Sequence, residues 1–128
     1  MSYLLDTAVF LWMIFGEEEK FSRKALKIVE ESDNLYLSAA SLWEIAIKFS
    51  LGKLSLQKNP DTWLPDVIGQ MNLKPLPITQ GHALAVAQLP YHHKDPFDRL
   101  LIGQARREEM SILSPDRVFK KYKIPLVW

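Results

Sequence analysis

Three short, nearly all-apolar segments separated by helical sequence constrain the fold more than any other feature of this chain. They cover residues 3–5, 35–37 and 111–113. None has the polar–apolar alternation of a strand with one face in solvent. Short apolar strands that alternate with helices are typical of a parallel sheet covered by helices on both faces. The sequence therefore predicts an α/β fold.

Two further strands and seven helices complete the predicted order. Residues 74–78 form a strand that Pro75 and Pro77 exclude from the centre of a sheet, and residues 125–128 form a closing strand. We expect Gly52 to follow the end of one helix and Thr79 to cap the start of another. The predicted helices span residues 8–14, 22–32, 41–51, 59–72, 79–87, 96–109 and 115–122.

Composition excludes several classes of protein. The 128 residues suffice for one domain, and the absence of cysteine excludes disulfides and thiolate metal sites and fits a reducing cytoplasm. The longest apolar stretch, residues 3–15, is too short to span a bilayer and lacks the features of a signal peptide. The net charge of +1 and the pI of 8.0 do not by themselves indicate a nucleic-acid-binding protein.

Two acidic residues follow predicted strands. Asp6 directly follows residues 3–5, and Asp116 follows residues 111–113. Ligands of open parallel sheets bind at the carboxyl ends of strands, so these acids are candidate site residues. Helix capping is the alternative: Asp6 would be an N-cap, and Asp116 would occupy position N2 behind Ser114 as N-cap.

Glu44 lies in the segment SLWEIAIK, which matches a capping box with Ser41 as N-cap and Glu44 as N3. Lys48 stands four residues later, at the spacing of a helical ion pair. Apolar residues surround Glu44 in the sequence, which is unusual for a solvated cap. Both a capping role and a site role remain open from this pattern.

The segment YHHKDPFDRLLIGQA, residues 91–105, begins the strongest predicted helix. Asp95 before Pro96 is the expected N-cap and N1 pair, which places Asp98 at N3. Capping accounts fully for Asp95. Asp98 also stands at the start of a helix whose remaining face is apolar, so it joins the other acids as a candidate site residue.

The four acids share a position at strand ends or in first helical turns. Carboxylates that converge without a cation repel one another. Mg²⁺ and Mn²⁺ prefer carboxylate and water oxygens, and such ions activate water and neutralise charge on a phosphodiester. The pattern therefore favours a divalent-cation site made by Asp6, Glu44, Asp98 and Asp116.

Four segments together resemble a PIN-domain ribonuclease, and more narrowly a VapC-type toxin of a toxin–antitoxin pair. They are YLLDT, SAASLWEIAIK, LPITQGHALAVAQLPYHHKDPFDRLLIGQA and ILSPDRVFKKYKIPLVW. The resemblance covers nearly the full chain and is most specific over residues 92–105. It implies a single PIN-like nuclease domain over residues 1–128, built as a three-layer α/β/α sandwich with a mostly parallel central sheet.

The resemblance also implies the site. Asp6 and Asp98 would be the principal ligands of one or two Mg²⁺ or Mn²⁺ ions, and Glu44 and Asp116 would bind directly or through water. Asp95 is an additional acid. A serine, Ser114, stands where the family usually has a threonine two residues before the fourth acid.

Other polar residues receive weaker assignments. Lys48 and Arg99 are secondary candidates for contact with a substrate phosphate. His92 and His93 are interpreted as part of a polar loop rather than as ligands or a general base.

The implied partners are an RNA substrate, an antitoxin that covers the acidic pocket and a second copy of the chain, in the cytoplasm and away from membranes. Two alternatives remain open from the sequence. The same carboxylates would serve a DNA nuclease or a phosphatase. Alternatively, the acids are caps, and the fold is a non-catalytic binding scaffold.

Overall fold

The computed structural model describes residues 1–128 and has a five-stranded sheet at its centre. The strands are β1 (Tyr3–Leu5), β2 (Leu35–Ser38), β3 (Lys74–Leu76), β4 (Ser111–Leu113) and β5 (Leu126–Val127). Their order in the sheet is β3-β2-β1-β4-β5, and every neighbouring pair is parallel. The predicted parallel sheet is confirmed.

Six α-helices and three short 3₁₀-helices connect the strands. The α-helices are α1 (Thr7–Phe15), α2 (Arg23–Glu31), α3 (Ala39–Ser50), α4 (Pro60–Gln70), α5 (Gln80–Ala85) and α6 (Pro96–Glu108). The 3₁₀-helices span Glu18–Lys20, Val86–Gln88 and Arg117–Tyr122. None of these helices has the length and apolar character needed to cross a membrane.

Successive residues of the strands point to opposite faces of the sheet, as the geometry of a β-strand requires. Leu4 and Ile112 pack into one apolar cluster with α6 and the 3₁₀-helix Arg117–Tyr122. Leu5 and Leu113 pack into a second cluster with α1, α2 and α4. The two clusters lie on the two faces of the sheet, so the three-layer sandwich is confirmed.

Local sequence signals place most element boundaries. β3, which contains Pro75, lies at the edge of the sheet, as its proline predicted. Gly52 follows the end of α3 with φ of +71°, a left-handed conformation that favours glycine. The Thr79 hydroxyl accepts a hydrogen bond from the His82 backbone and caps α5 as expected.

Two helix starts were predicted wrongly. α3 begins at Ala39, because β2 runs directly into it and the hydroxyl of Ser38 accepts the capping hydrogen bond from the Ala40 amide. Ser41 is fully buried instead, and its hydroxyl accepts a hydrogen bond from Thr7 at 2.8 Å. The segment predicted as a helix from residue 115 is a 3₁₀-helix that begins at Arg117.

Candidate functional site

The strand order creates a crevice between β1 and β4. From β1 the chain continues to β2 and β3 on one side, while β4 and β5 lie on the other side. Ligands of open α/β sheets bind at the carboxyl ends of the strands where the order reverses in this way. Asp6 directly follows β1, and its amide donates to the carbonyl of Leu113 in β4 at 3.2 Å. The topology therefore places Asp6 at the point of the fold most suited to a ligand.

Asp6 is a buried acid with few compensating contacts. Only 8% of the residue is exposed, and its carboxylate makes no capping hydrogen bond to α1. The hydroxyl of Ser114 donates to its Oδ2 at 2.7 Å. Burial raises the pKa of Asp6, and the Ser114 hydrogen bond opposes this rise. The charges of Asp116 and Glu44 add to the rise, and the backbone N–H of Thr7 makes a smaller opposing contribution. These features favour a site role over the capping role.

Glu44 does not belong to a capping box, because α3 begins two residues earlier than predicted. It lies in the second turn of α3 and is 7% exposed. The ammonium of Lys48 donates to its Oε2 at 2.6 Å, which confirms the predicted ion pair. The hydrogen bond to Glu44 raises the pKa of Lys48. A cation that binds Glu44 through this oxygen would compete with Lys48.

The two aspartates of the DPFD segment occupy the N-cap and N3 positions of α6, as predicted. Asp95 is the N-cap of α6, and its Oδ1 accepts a hydrogen bond from the Asp98 amide at 2.9 Å. Asp98 stands at N3 with 20% of its side chain exposed. Burial, followed by the charge of Asp95, raises the pKa of Asp98 to about 7 even though His93 donates a hydrogen bond to it; Asp6 also contributes to the rise.

Asp116 occupies a different capping position from the one predicted. It is the N-cap of the 3₁₀-helix, and its Oδ1 accepts a hydrogen bond from the Val118 amide at 3.0 Å. The Ser114 hydroxyl accepts from the Asp116 amide while donating to Asp6. Pro115 therefore lies in the turn before the helix rather than at N1. The single hydroxyl of Ser114 therefore bridges the side chain of Asp6 and the backbone of Asp116.

The assignment of Arg99 to a substrate phosphate is wrong. Arg99 is 3% exposed, and its guanidinium donates to the backbone carbonyls of Val86, Leu89 and Pro90 and to the Tyr122 hydroxyl. These bonds secure the segment that precedes α6. Arg99 faces the interior because position N4 of α6 lies on the buried side of the helix.

His93 contacts a candidate site residue, although the sequence interpretation assigned it only to a polar loop. Its Nε2 lies 3.1 Å from Oδ2 of Asp98, and its Nδ1 lies 2.6 Å from the hydroxyl of Tyr122. Tyr122 is 29 residues away along the chain, so no local spacing could have identified this contact. The ring of His92 packs against that of Tyr122 in a T-shaped arrangement, with the ring centroids 4.9 Å apart.

The four candidate acids influence one another electrostatically. The charges of Glu44 and Asp116 act on Asp6, and the charge of Asp6 acts on Asp98. No three acidic or histidine side chains lie in an arrangement that could hold a cation as they stand. Glu44 is paired with Lys48, and Asp98 is paired with His93. The oxygen donors nevertheless suit Mg²⁺ or Mn²⁺, and buried Asp6 has no cationic partner of its own.

A cavity of about 260 Å³ is lined by six residues: Ser114, Pro115, Arg117, Lys120, Leu126 and Trp128. Its lining includes the exposed side chains of Arg117 and Lys120, and Ser114 connects it to Asp6. Neither cation forms an ion pair within the chain. The cavity is therefore lined by unpaired positive charge, which can attract an anionic ligand.

Known proteins share both the sequence pattern and the fold. The PIN-domain family model matches residues 3–125. Ribonuclease VapC22 of Mycobacterium tuberculosis is 26% identical over 123 residues, which cover 95% of this chain and 92% of that protein.

Two solved structures share the architecture at low sequence identity. The chain matches VapBC2 from Rickettsia felis, solved bound to a promoter DNA fragment, with a TM-score of 0.73, 15% identity and coverage of 99% of this chain and 98% of that one. It matches DNA-bound VapBC from Salmonella typhimurium with a TM-score of 0.72, 18% identity and coverage of 99% and 97%. These structures support the fold, and the match over residues 3–125 shows the family: the chain belongs to the PIN-domain family.

Proposed function

We propose that this protein is a metal-dependent endoribonuclease and the toxin of a toxin–antitoxin pair. The observation that carries the proposal is the buried Asp6 at the β1–β4 crevice, without a capping bond and within reach of the charges of Glu44, Asp98 and Asp116. A buried carboxylate without a cationic partner is unfavourable. The ribonuclease VapC22 relative supports RNA as the substrate.

Asp6 and Asp98 would hold one or two Mg²⁺ or Mn²⁺ ions, with Glu44 and Asp116 binding directly or through water. When bound, such an ion supplies a nucleophilic water and neutralises charge on the phosphodiester. The Ser114 hydroxyl orients Oδ2 of Asp6, and Asp95 holds the first turn of α6 that carries Asp98.

Cations around the crevice would contact the substrate. Lys48 is half exposed and adjacent to Glu44, so it keeps its assignment as a candidate phosphate contact. Arg117 and Lys120 replace Arg99 as further candidates, because they line the cavity beside Ser114. Charge of this kind attracts an RNA backbone without reading its sequence.

Cleavage assays test the proposal directly. RNA and DNA oligonucleotides of one sequence would be incubated with Mn²⁺ and the wild type, Asp6→Asn or Asp66→Asn. We expect the wild type to cleave RNA, Asp6→Asn to lose at least a hundredfold in rate, and Asp66→Asn, which changes an exposed acid on α4, to match the wild type. Preferential DNA cleavage would support the alternative nuclease, and an absence of both cleavage and Mn²⁺ binding would support the non-catalytic scaffold.

The proposed protein partners are an antitoxin and a second copy of this chain. The VapBC structures with the same fold support the first partner. Large apolar side chains left exposed support contact with another chain; they include Trp43, Leu51, Leu84 and Tyr91. Expression of the chain should arrest growth, and co-expression of an adjacent small reading frame should restore it. Light scattering of the isolated chain measures its oligomeric state.

A further inference from the structure

A chain of polar groups leads from the protein interior to Asp98. The guanidinium of Arg99 donates to the Tyr122 hydroxyl at 3.2 Å, the hydroxyl lies 2.6 Å from His93 Nδ1, and His93 Nε2 lies 3.1 Å from Asp98 Oδ2. Nothing in the proposed chemistry uses Arg99, Tyr122 or His93. The chain ends on one oxygen of a candidate cation ligand.

The direction of each hydrogen bond follows from the groups involved. Arginine can only donate, so Tyr122 accepts from Arg99 and has one hydrogen left to give. The His93 ring nitrogen Nδ1 lies at 2.6 Å, whereas the His93 carbonyl oxygen lies at 3.4 Å. The hydroxyl therefore donates to Nδ1. In a neutral imidazole the hydrogen is then on Nε2, which donates to Asp98.

The groups behind His93 are held rigidly. Arg99 and Tyr122 are both buried, and Arg99 also bonds three backbone carbonyls. The guanidinium lies 4.0 Å from the centre of the Tyr91 ring, a cation–π contact. Arg99 forms no ion pair, so no acidic side chain neutralises its charge. Because Arg99 donates to the Tyr122 hydroxyl, the hydrogen of that hydroxyl points toward His93.

We propose that His93 is a positioning residue for Asp98. Its Nε2–H holds Oδ2 and so directs Oδ1 of Asp98 toward the crevice, while Arg99, acting through Tyr122, fixes the tautomer of His93. The inference rests on the proposed function, since it takes Asp98 as a cation ligand. Carboxylates that bind metal ions are commonly hydrogen-bonded by such outer partners, whose loss costs roughly 10- to 100-fold in metal affinity or activity.

The tautomer of His93 gives a test that needs no cation. In ¹⁵N-labelled, metal-free protein, NMR of the imidazole nitrogens should show His93 with hydrogen on Nε2. Tyr122→Phe removes only the hydroxyl, and we expect it to release His93 into a mixture of both tautomers. A wild-type His93 with hydrogen on Nδ1 would overturn the inference.

Mn²⁺ titration separates positioning from a general structural role. Only the Mn²⁺ binding that is lost in Asp6→Asn is compared among the variants, because that part belongs to the candidate site. His93→Leu removes the donor, and we expect it to weaken this binding 10- to 100-fold. His93→Gln places an amide N–H near the position of Nε2, and we expect it to restore affinity to within about threefold of the wild type. His92→Gln is the matched control, because His92 does not contact Asp98.

The outcomes distinguish this inference from the proposed function. A wild type that binds no Mn²⁺ would refute the proposed function, and with it the ligand role of Asp98. A wild type that binds Mn²⁺ while His93→Leu keeps the same affinity would overturn only the positioning role. Equal losses in His93→Leu and His93→Gln would also overturn it, since the amide donor would then have no effect.

Discussion

Asp98→Asn should stabilise the metal-free protein at pH 8. The raised pKa of Asp98 means that the folded chain binds this proton more tightly than the unfolded chain does. The stabilisation by the proton is fully present below pH of about 4 and is lost as the pH rises through about 7. The wild type therefore carries an unfavourable charge at pH 8 that Asp98→Asn lacks.

The magnitude follows from the pKa and the exposure of Asp98. A rise from 3.8 to about 7 corresponds to roughly 4 kcal/mol in full. The side chain is 20% exposed, so solvent screening reduces this to on the order of 2 kcal/mol. The negative charge of Asp98 at N3 also interacts favourably with the dipole of α6, by about 0.5 kcal/mol, and the neutral asparagine lacks this interaction. The expected net stabilisation is on the order of 1 to 2 kcal/mol, or roughly 6 °C in Tm.

Thermal unfolding in chelator measures this effect. Tm of the wild type and Asp98→Asn would be compared between pH 4 and pH 8, with Asp66→Asn as an exposed control. The two curves should converge near pH 4, separate progressively as the pH rises to about 7, and stay apart by a constant amount above it. Added Mn²⁺ should raise Tm of the wild type but not of Asp98→Asn. If Asp98→Asn is less stable than the wild type at pH 8, or the difference does not change with pH, the reasoning is refuted.

Three further substitutions probe neighbouring groups. Asp95→Asn should keep RNA cleavage and should not lower Tm, because asparagine caps a helix as well as aspartate does and the charge that raises the pKa of Asp98 is removed; loss of cleavage would instead place Asp95 among the ligands. Arg99→Leu should reduce the free energy of unfolding in urea by about 3 kcal/mol, because buried carbonyls lose their donor, whereas a phosphate-binding arginine would leave stability unchanged. Lys120→Glu should weaken RNA binding, measured by fluorescence anisotropy, and should reduce the slope of log binding constant against log salt concentration by about one. Lys24→Glu, an exposed change on α2, should have neither effect. Equal effects of the two substitutions would exclude a specific role for the cavity.

The sequence by itself determined most of the helices and strands. Apolar strands such as Tyr3–Leu5 indicate a sheet that is buried on both faces, and Asp95 before Pro96 predicts the start of α6. These signals are local, since they depend on backbone preferences and on the periodicity of apolar residues. The family motifs added the expected set of acids, which no single spacing could establish.

Tertiary structure decided what each polar residue contacts. Ser41 looked like a cap but is buried against Thr7, because β2 and α3 are continuous. Arg99 looked like a surface cation but bonds buried carbonyls. His93 lies in a loop, as expected, but its ring also meets Asp98 and Tyr122, which lies 29 residues further along the chain. Such contacts depend on how elements distant in sequence pack, and packing is a property of the whole fold that local patterns do not encode.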